Sequence, residues 1–506
     1  MVAIQSKHKE QKSSAKKKAG NYLSKSLYIR GLQCHKSLFL QKYKPSLKDD
    51  ISDAQEAIFQ GGRDVGVLAW QLFPGGIEIP YEGLSHQEQI DLTQSQIKEG
   101  RKTIYEATFS HQNVFVKVDI LHKGSRGWEI YEVKAGTKLD PVYVDDAALQ
   151  YHVLTGAGIK VKKVFITHIN VEYIRKGTLD VQTLFTSEDI TKQVKAKQPF
   201  VVKQLRKQRR MLNGELPKID IGPHCSDPYA CDFQEYCWRH IPDNSVFDLR
   251  RKGIDPYDLY AQGIIKQKDI PLDLLNEKQR QQVVATINKE NTIDKKKIRA
   301  FFKTLSYPLY FLDFETFMSA IPPYDGLKPY QNVPFQYSLH YQKKKGGKLF
   351  HTEFLAQPGI DPRMPLLKKL LADIPEDVCI LTYNMAFEKK VLTELAAQFP
   401  VHKKTIGKWI NNVRDLMIPF RQRDVYFWKF KGSFSIKKVL PALVPELSYE
   451  GLAIADGGAA MDAYQKMLAA MDDQKKLSEI RKNLLAYCQL DTLAMVRILE
   501  ALEKLE

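Results

Sequence analysis

Long apolar runs are missing from this sequence. None approaches the roughly 18 residues of a membrane-spanning helix, and the N-terminus lacks the apolar stretch of a secretory signal. The expectation is therefore a cytoplasmic protein without a membrane partner. Cysteine is scarce, with six in 506 residues, which excludes a disulfide-built scaffold. Acidic side chains are in deficit: 59 Asp and Glu face 76 Lys and Arg, a formal net charge of +17 that favours a polyanionic partner, nucleic acid ahead of an anionic membrane surface.

What is present is enough apolar material for ordinary cores, 43% of the chain, at a length that divides into about two to four domains. Residues 1–20 are rich in Lys, Ser and Gln and read as a disordered basic tail. Residues 21–240 alternate helical patterns with strand-like segments, notably NVFVKVDIL, GWEIYEVKAG and KVFITHINVEYI. Residues 241–304 turn helical and charge-rich and read as a connector. Residues 305–506 form a second α/β pattern, from YPLYFLDFE to a long helical run over 461–505. No internal repeat links the halves.

In VFVKVDILHKGSRGWEIYEVKAG, two alternating strands flank HKGSRG, the pattern of a β-hairpin with a longer loop. Asp119 lies on the first strand. Glu132 and Lys134, two apart on the second, share a face. Two carboxylates and an ammonium there suit hard Mg²⁺ or Mn²⁺ and hydrolysis at phosphorus, although exposed strand faces often carry solvated acid–base pairs instead.

Three cysteines recur at six-residue intervals in CSDPYACDFQEYCW, namely Cys225, Cys231 and Cys237. In a reducing compartment such a group suits metal ligation, and a four-thiolate shell needs a further member, the nearest being Cys34 in RGLQCHKSLFL. Zinc, an iron–sulfur cluster and plain buried thiols all remain open on spacing alone.

In the second half, YFLDFETF places Asp313 and Glu315 on one strand face, LTYNMAFEKKVL places Asn384 and Glu388 four apart, and YCQLDTLAMV does the same with Tyr487 and Asp491. Four acids on three segments can hold two divalent ions about 4 Å apart, with the tyrosine orienting a water. Asp415 in NNVRDLM is a further candidate ligand, ranked below Glu388.

The acid followed across a hairpin by Glu132-Val133-Lys134 resembles the PD-(D/E)XK nucleases. DDAALQYHVL resembles the RecB-like helix that supplies a glutamine, here Gln150, with Leu154 where that family has tyrosine and Gly66 where many members have histidine. The order D-x-E, N-x-x-F-E, Y-x-x-x-D resembles the tyrosine subclass of DEDD exonucleases, with Glu388 in place of the usual aspartate. Over residues 22–506 the chain resembles bacterial predicted RecB-family nucleases. That resemblance implies a restriction-endonuclease-like domain, a helical connector and an RNase H-like domain. It also implies a [4Fe-4S] cluster on Cys34, Cys225, Cys231 and Cys237, and Mg²⁺ or Mn²⁺ on Asp119 and Glu132 and on Asp313, Glu315, Glu388 and Asp491. Lys134, Gln150 and Tyr487 would complete the two catalytic sets, and the expected substrate is DNA, in repair, recombination or defence. An RNA-directed nuclease, a binding scaffold on degenerate nuclease folds and a redox-gated binder are the alternatives.

Overall fold

A computed structural model describes residues 22–250 and 252–506; the expected basic tail lies outside them. The chain is a mixed α/β protein with one large sheet in each half. Among the described residues no helix is long and apolar enough to cross a membrane.

The first sheet has seven strands: β1 (Leu23–Ser24), β2 (Ile77–Glu78), β3 (Thr103–His111), β4 (Val114–Gly124), β5 (Gly127–Lys134), β6 (Val161–Ile169) and β7 (Phe185–Asp189). They lie in the order β2-β3-β4-β5-β6-β7, with β1 added alongside β4. The β4–β5 hairpin is tighter than expected. His122 and Lys123 stay in the ladder opposite Glu129 and Trp128, so only Ser125 and Arg126 form the turn between Gly124 and Gly127. From β5 the chain crosses through the helix Pro141–Gly156 to the parallel β6. Asp140 caps that helix by accepting from Val142 N at 3.0 Å, with Pro141 preset at its first position. Its residues Val144, Ala147, Ala148, Leu149, Val153 and Leu154 are buried, because it lies between the sheet and later helices.

The connector stretch is not wholly helical. Its strand β8 (Asn291–Ile293) pairs with β14 (Val425–Phe427), a three-residue exposed segment too short to carry a periodic signal. Ile298 and Phe301 join the core that also holds Leu309 and Phe311.

The second sheet contains β9 (Leu309–Phe317), β10 (Val333–Gln342), β11 (Leu349–Leu355), β12 (Cys379–Thr382) and β13 (Val413–Asp415) in the order β11-β10-β9-β12-β13. The first three strands run antiparallel; β12 is parallel to β9 and β13 to β12. Period-two alternation sorts β9 cleanly. Tyr310, Leu312 and Phe314 face a core with Trp409, while Leu309, Phe311 and Phe317 face the C-terminal helix Gln474–Leu505 or its neighbours. Asp313 and Glu315 fall on that second face. The expected helical run over 461–505 is two helices, Gly457–Ala469 and Gln474–Leu505, the second capped by Asp473.

The halves dock through the loop after β9. Ala320, Ile321 and Tyr330 pack with Val65, Val133 and Tyr173, and Tyr330 donates its hydroxyl hydrogen to the Ala135 carbonyl, one residue past Lys134.

Candidate functional sites

In the N-terminal half, the register Ile120 opposite Tyr131 sets Asp119 beside Glu132, and Asp119 Oδ2 accepts from Val133 N at 2.7 Å. Glu132 is 1% exposed and both its oxygens are engaged. Oε1 accepts from Lys134 Nζ at 2.6 Å and from Lys25 Nζ at 2.8 Å, while Oε2 accepts from the fully buried Gln150 at 2.5 Å. Lys134 also bonds Asp146 Oδ2 at 2.7 Å and lies over the Tyr143 ring. The four residues expected here, Asp119, Glu132, Lys134 and Gln150, therefore converge.

Lys25 and Asp146 were not anticipated. Lys25 is 107 residues from Glu132 and had no motif to flag it, whereas Asp146 was available, one helical turn before Gln150. Burial, then repulsion from Glu132, pushes the Asp119 carboxyl up to about 8. Burial acts the same way on Glu132, but the Lys134 and Lys25 ammonium groups outweigh it and hold the carboxyl well below the usual range. Opposite Asp119 on β3, Glu106 has a left-handed backbone, φ 54°, in mid-strand, a strained conformation of the kind that clusters at working sites.

Three of the second-half acids, Asp313, Glu315 and Asp491, line one cleft of about 430 Å³ with Tyr487, and Lys437 is on its wall; Glu388, expected with them, is not among the lining residues. Asp313, Glu315 and Cys488 present ligand atoms all within 4.8 Å of one another. The C-terminal helix delivers Tyr487 and Asp491 one turn apart, as the spacing predicts. Tyr449, absent from the sequence expectation, donates to Asp491 Oδ1 at 2.5 Å. It is 42 residues upstream and only the fold brings it in.

Asn384 differs from expectation: it caps the helix Met385–Gln398 with a left-handed backbone, φ 80°, and its N–H donates to Asp415 Oδ1 at 3.0 Å. Asp415 also accepts from Met417 N at 3.0 Å, so one of its oxygens is spent on shaping the loop. Glu388 is buried, and its Oε2 has no hydrogen-bond partner.

Burial raises Asp313, Glu315, Glu388 and Asp491, and repulsion from neighbouring carboxylates adds to it for the first three. Asp313 and Glu315 go well above the carboxylate range, both pushed by Asp491, with Lys437 partly relieving Glu315. Glu388 reaches about 8 by burial and then Asp415, against the N–H groups of its own helix start. Asp491 reaches only about 6, because the Tyr449 and Tyr487 hydroxyls favour its charged form. Orphaned buried oxygens, Glu388 Oε2 here and Asp146 Oδ1 in the first site, are the atoms a hard divalent ion would satisfy.

All four expected cysteines, Cys34, Cys225, Cys231 and Cys237, line one cavity with Ile221, Phe233 and Trp238. Cys34 caps the helix His35–Tyr43, its Sγ accepting from Ser37 N at 3.5 Å, and Cys231 Sγ lies 3.5 Å from Ser37 Oγ. Around them Arg30 forks onto Asp232 at 2.5 and 3.0 Å, and Asp49 Oδ2 accepts from Gln234 N at 2.8 Å. The last segment of this half is thus tied to its first helices. Cys379 and Cys488 lie buried in the other half.

Residues 310–435 match a family model described as a domain of unknown function, DUF2779. That span includes Asp313, Glu315, Glu388 and Asp415 but stops before Tyr487 and Asp491. The chain is also similar to an uncharacterized protein of Mycoplasma pneumoniae, the MG366 homolog, at 25% identity over 220 residues. The match covers 40% of this chain and 33% of that protein, so the chain spans about a third of the relative's length.

Proposed function

We propose that this protein is a cytoplasmic, metal-dependent nuclease that hydrolyses DNA phosphodiester bonds, with a hydrolytic site in each half. The observation that carries the proposal is the convergence of Asp313, Glu315 and Asp491 at a cleft that also holds Tyr487 and Lys437, with the charge of buried Glu388 near enough to raise Asp313. Burying four carboxylates together is costly, and a fold retains such a group where cations complete it.

The strand order, three antiparallel strands followed by two parallel ones at one edge, supports an RNase H-like reading of the second half. The β-hairpin with Asp119, Glu132 and Lys134, flanked by the Gln150 helix, supports a PD-(D/E)XK-like reading of the first. Divalent Mg²⁺ or Mn²⁺, when bound, would polarise water and neutralise charge developing on the phosphate. In the second half Tyr487 would orient the attacking water beside Asp491, and Lys437 would draw in the phosphate. In the first, Lys134 would hold the phosphate or the attacking water against the carboxylates.

For Cys34, Cys225, Cys231 and Cys237 we propose a [4Fe-4S] cluster acting as a structural clasp. The gathering of all four cysteines on one cavity, shielded by Phe233 and Trp238, supports that reading.

The test is cleavage of an end-labelled single-stranded oligodeoxynucleotide by anaerobically purified full-length protein with Mg²⁺ or Mn²⁺, against a chelator control and a matching RNA. Metal-dependent DNA products support the proposal. Stable binding without cleavage of either polymer would leave a nucleic-acid-binding scaffold.

A further inference from the structure

We propose that Lys25 is a positioning residue of the N-terminal site: it neutralises Glu132 in the metal-free protein and transfers to the substrate phosphate when a divalent cation displaces it. This rests on reading that site as a nuclease centre.

Three donors crowd Glu132, Lys25 and Lys134 on Oε1 and Gln150 on Oε2, so a metal that approaches Oε1 competes with the two ammonium groups. Gln150 is fully buried. Lys134 is held by Glu132 at 2.6 Å and Asp146 at 2.7 Å, and lies over the Tyr143 ring. Lys25 is the loosest of the three, at 2.8 Å from Glu132 and 3.6 Å from Asp146, with a side chain 26% exposed.

Its backbone stays fixed while the side chain moves. Lys25 opens the helix Lys25–Gln33, capped by Ser24, whose strand β1 is paired to β4 at Val114 and Phe115. A swing of the four-carbon stem therefore costs little beyond the ion pair itself.

The incoming phosphodiester brings a negative charge with which the displaced ammonium can pair.

The experiment uses full-length protein carrying Asp313→Asn, so that Mn²⁺ binding and cleavage report on the N-terminal site. Lys25→Met and Lys25→Arg are compared, with thermal unfolding as a folding check and Asp119→Asn as the site control. Mn²⁺ is titrated without nucleic acid, and kcat and KM are measured on single-stranded DNA. Lys25→Met should bind Mn²⁺ about tenfold tighter, having lost the competing cation, and raise KM by about tenfold. Lys25→Arg should restore KM. Unchanged or weaker Mn²⁺ binding by a folded Lys25→Met, with unchanged KM, would make Lys25 an ordinary ion-pair partner and overturn the proposal alone. Mn²⁺ binding that ignores Asp119→Asn would overturn the site and this proposal together.

Discussion

Replacing Asp313 by Asn should abolish turnover at the C-terminal site and yet stabilise the metal-free protein. Ligand atoms of Asp313, Glu315 and Cys488 lie within 4.8 Å of one another. At an effective dielectric of about 20, two carboxylate charges at that distance repel by about 3.5 kcal/mol. Protonation relieves part of this, because Asp313 and Glu315 titrate well above the usual range. The net gain expected from Asp313→Asn at pH 8 in EDTA is therefore about 1–3 kcal/mol, a rise in Tm of roughly 3–10 °C for a domain of this size.

The sign follows from linkage. These acids have folded pKa values above their unfolded ones, so the fold binds more protons than the unfolded chain. Their stabilising contribution is full below about pH 4 and is lost as pH rises through about 6 for Asp491 and about 8 for Glu388. The gain from Asp313→Asn should thus shrink toward pH 5, and saturating Mg²⁺ should reverse it by stabilising the wild type more. Scanning calorimetry at pH 5 and 8, with and without Mg²⁺, measures all four conditions. A variant less stable than wild type at pH 8 in EDTA would refute the reasoning, since Asp313 would then be a structural residue.

Tyr449→Phe removes a hydroxyl that favours the charged form of Asp491, so the acidic limb of the kcat/KM–pH profile should move up by about half a unit or more; an unmoved limb would contradict the role. Cys237→Ser should lose iron and acid-labile sulfide and make 223–238 more sensitive to limited proteolysis, although the Arg30–Asp232 fork still ties that segment to the first helix. Gly31→Ala should cost about 1–3 kcal/mol in thermal unfolding, because the new Cβ would stand 2.5 Å from the amide of Gln208, a buried side chain committed to Tyr28 O at 2.9 Å.

Much of both candidate sites was legible because their acidic and basic residues sit at short spacing. Glu132 and Lys134 two apart on a strand, and Tyr487 and Asp491 four apart on a helix, share faces by geometry alone. The buried run YFLDFE announced a core strand, and its period of two correctly put Asp313 and Glu315 together. What stayed hidden was set by tertiary contact. Lys25 and Tyr449 reach their carboxylates across 107 and 42 residues, with no periodicity to mark them. Asn384 left its expected helix because Asp415, on a neighbouring strand, captured its backbone N–H. The pairing of β8 with β14 joins three-residue segments that carry no strand pattern of their own.

The central claim is two hydrolytic sites in one chain, and product ladders from end-labelled single-stranded DNA test it most directly. Wild type, Lys134→Ala, Asp313→Ala and the double variant would be compared in Mg²⁺ and in Mn²⁺, with the label at either end. The account predicts that each single variant loses a different class of product and that the double variant loses all metal-dependent cleavage. A wild type that binds DNA without cutting it, or a double variant that cuts as well as wild type, would contradict it.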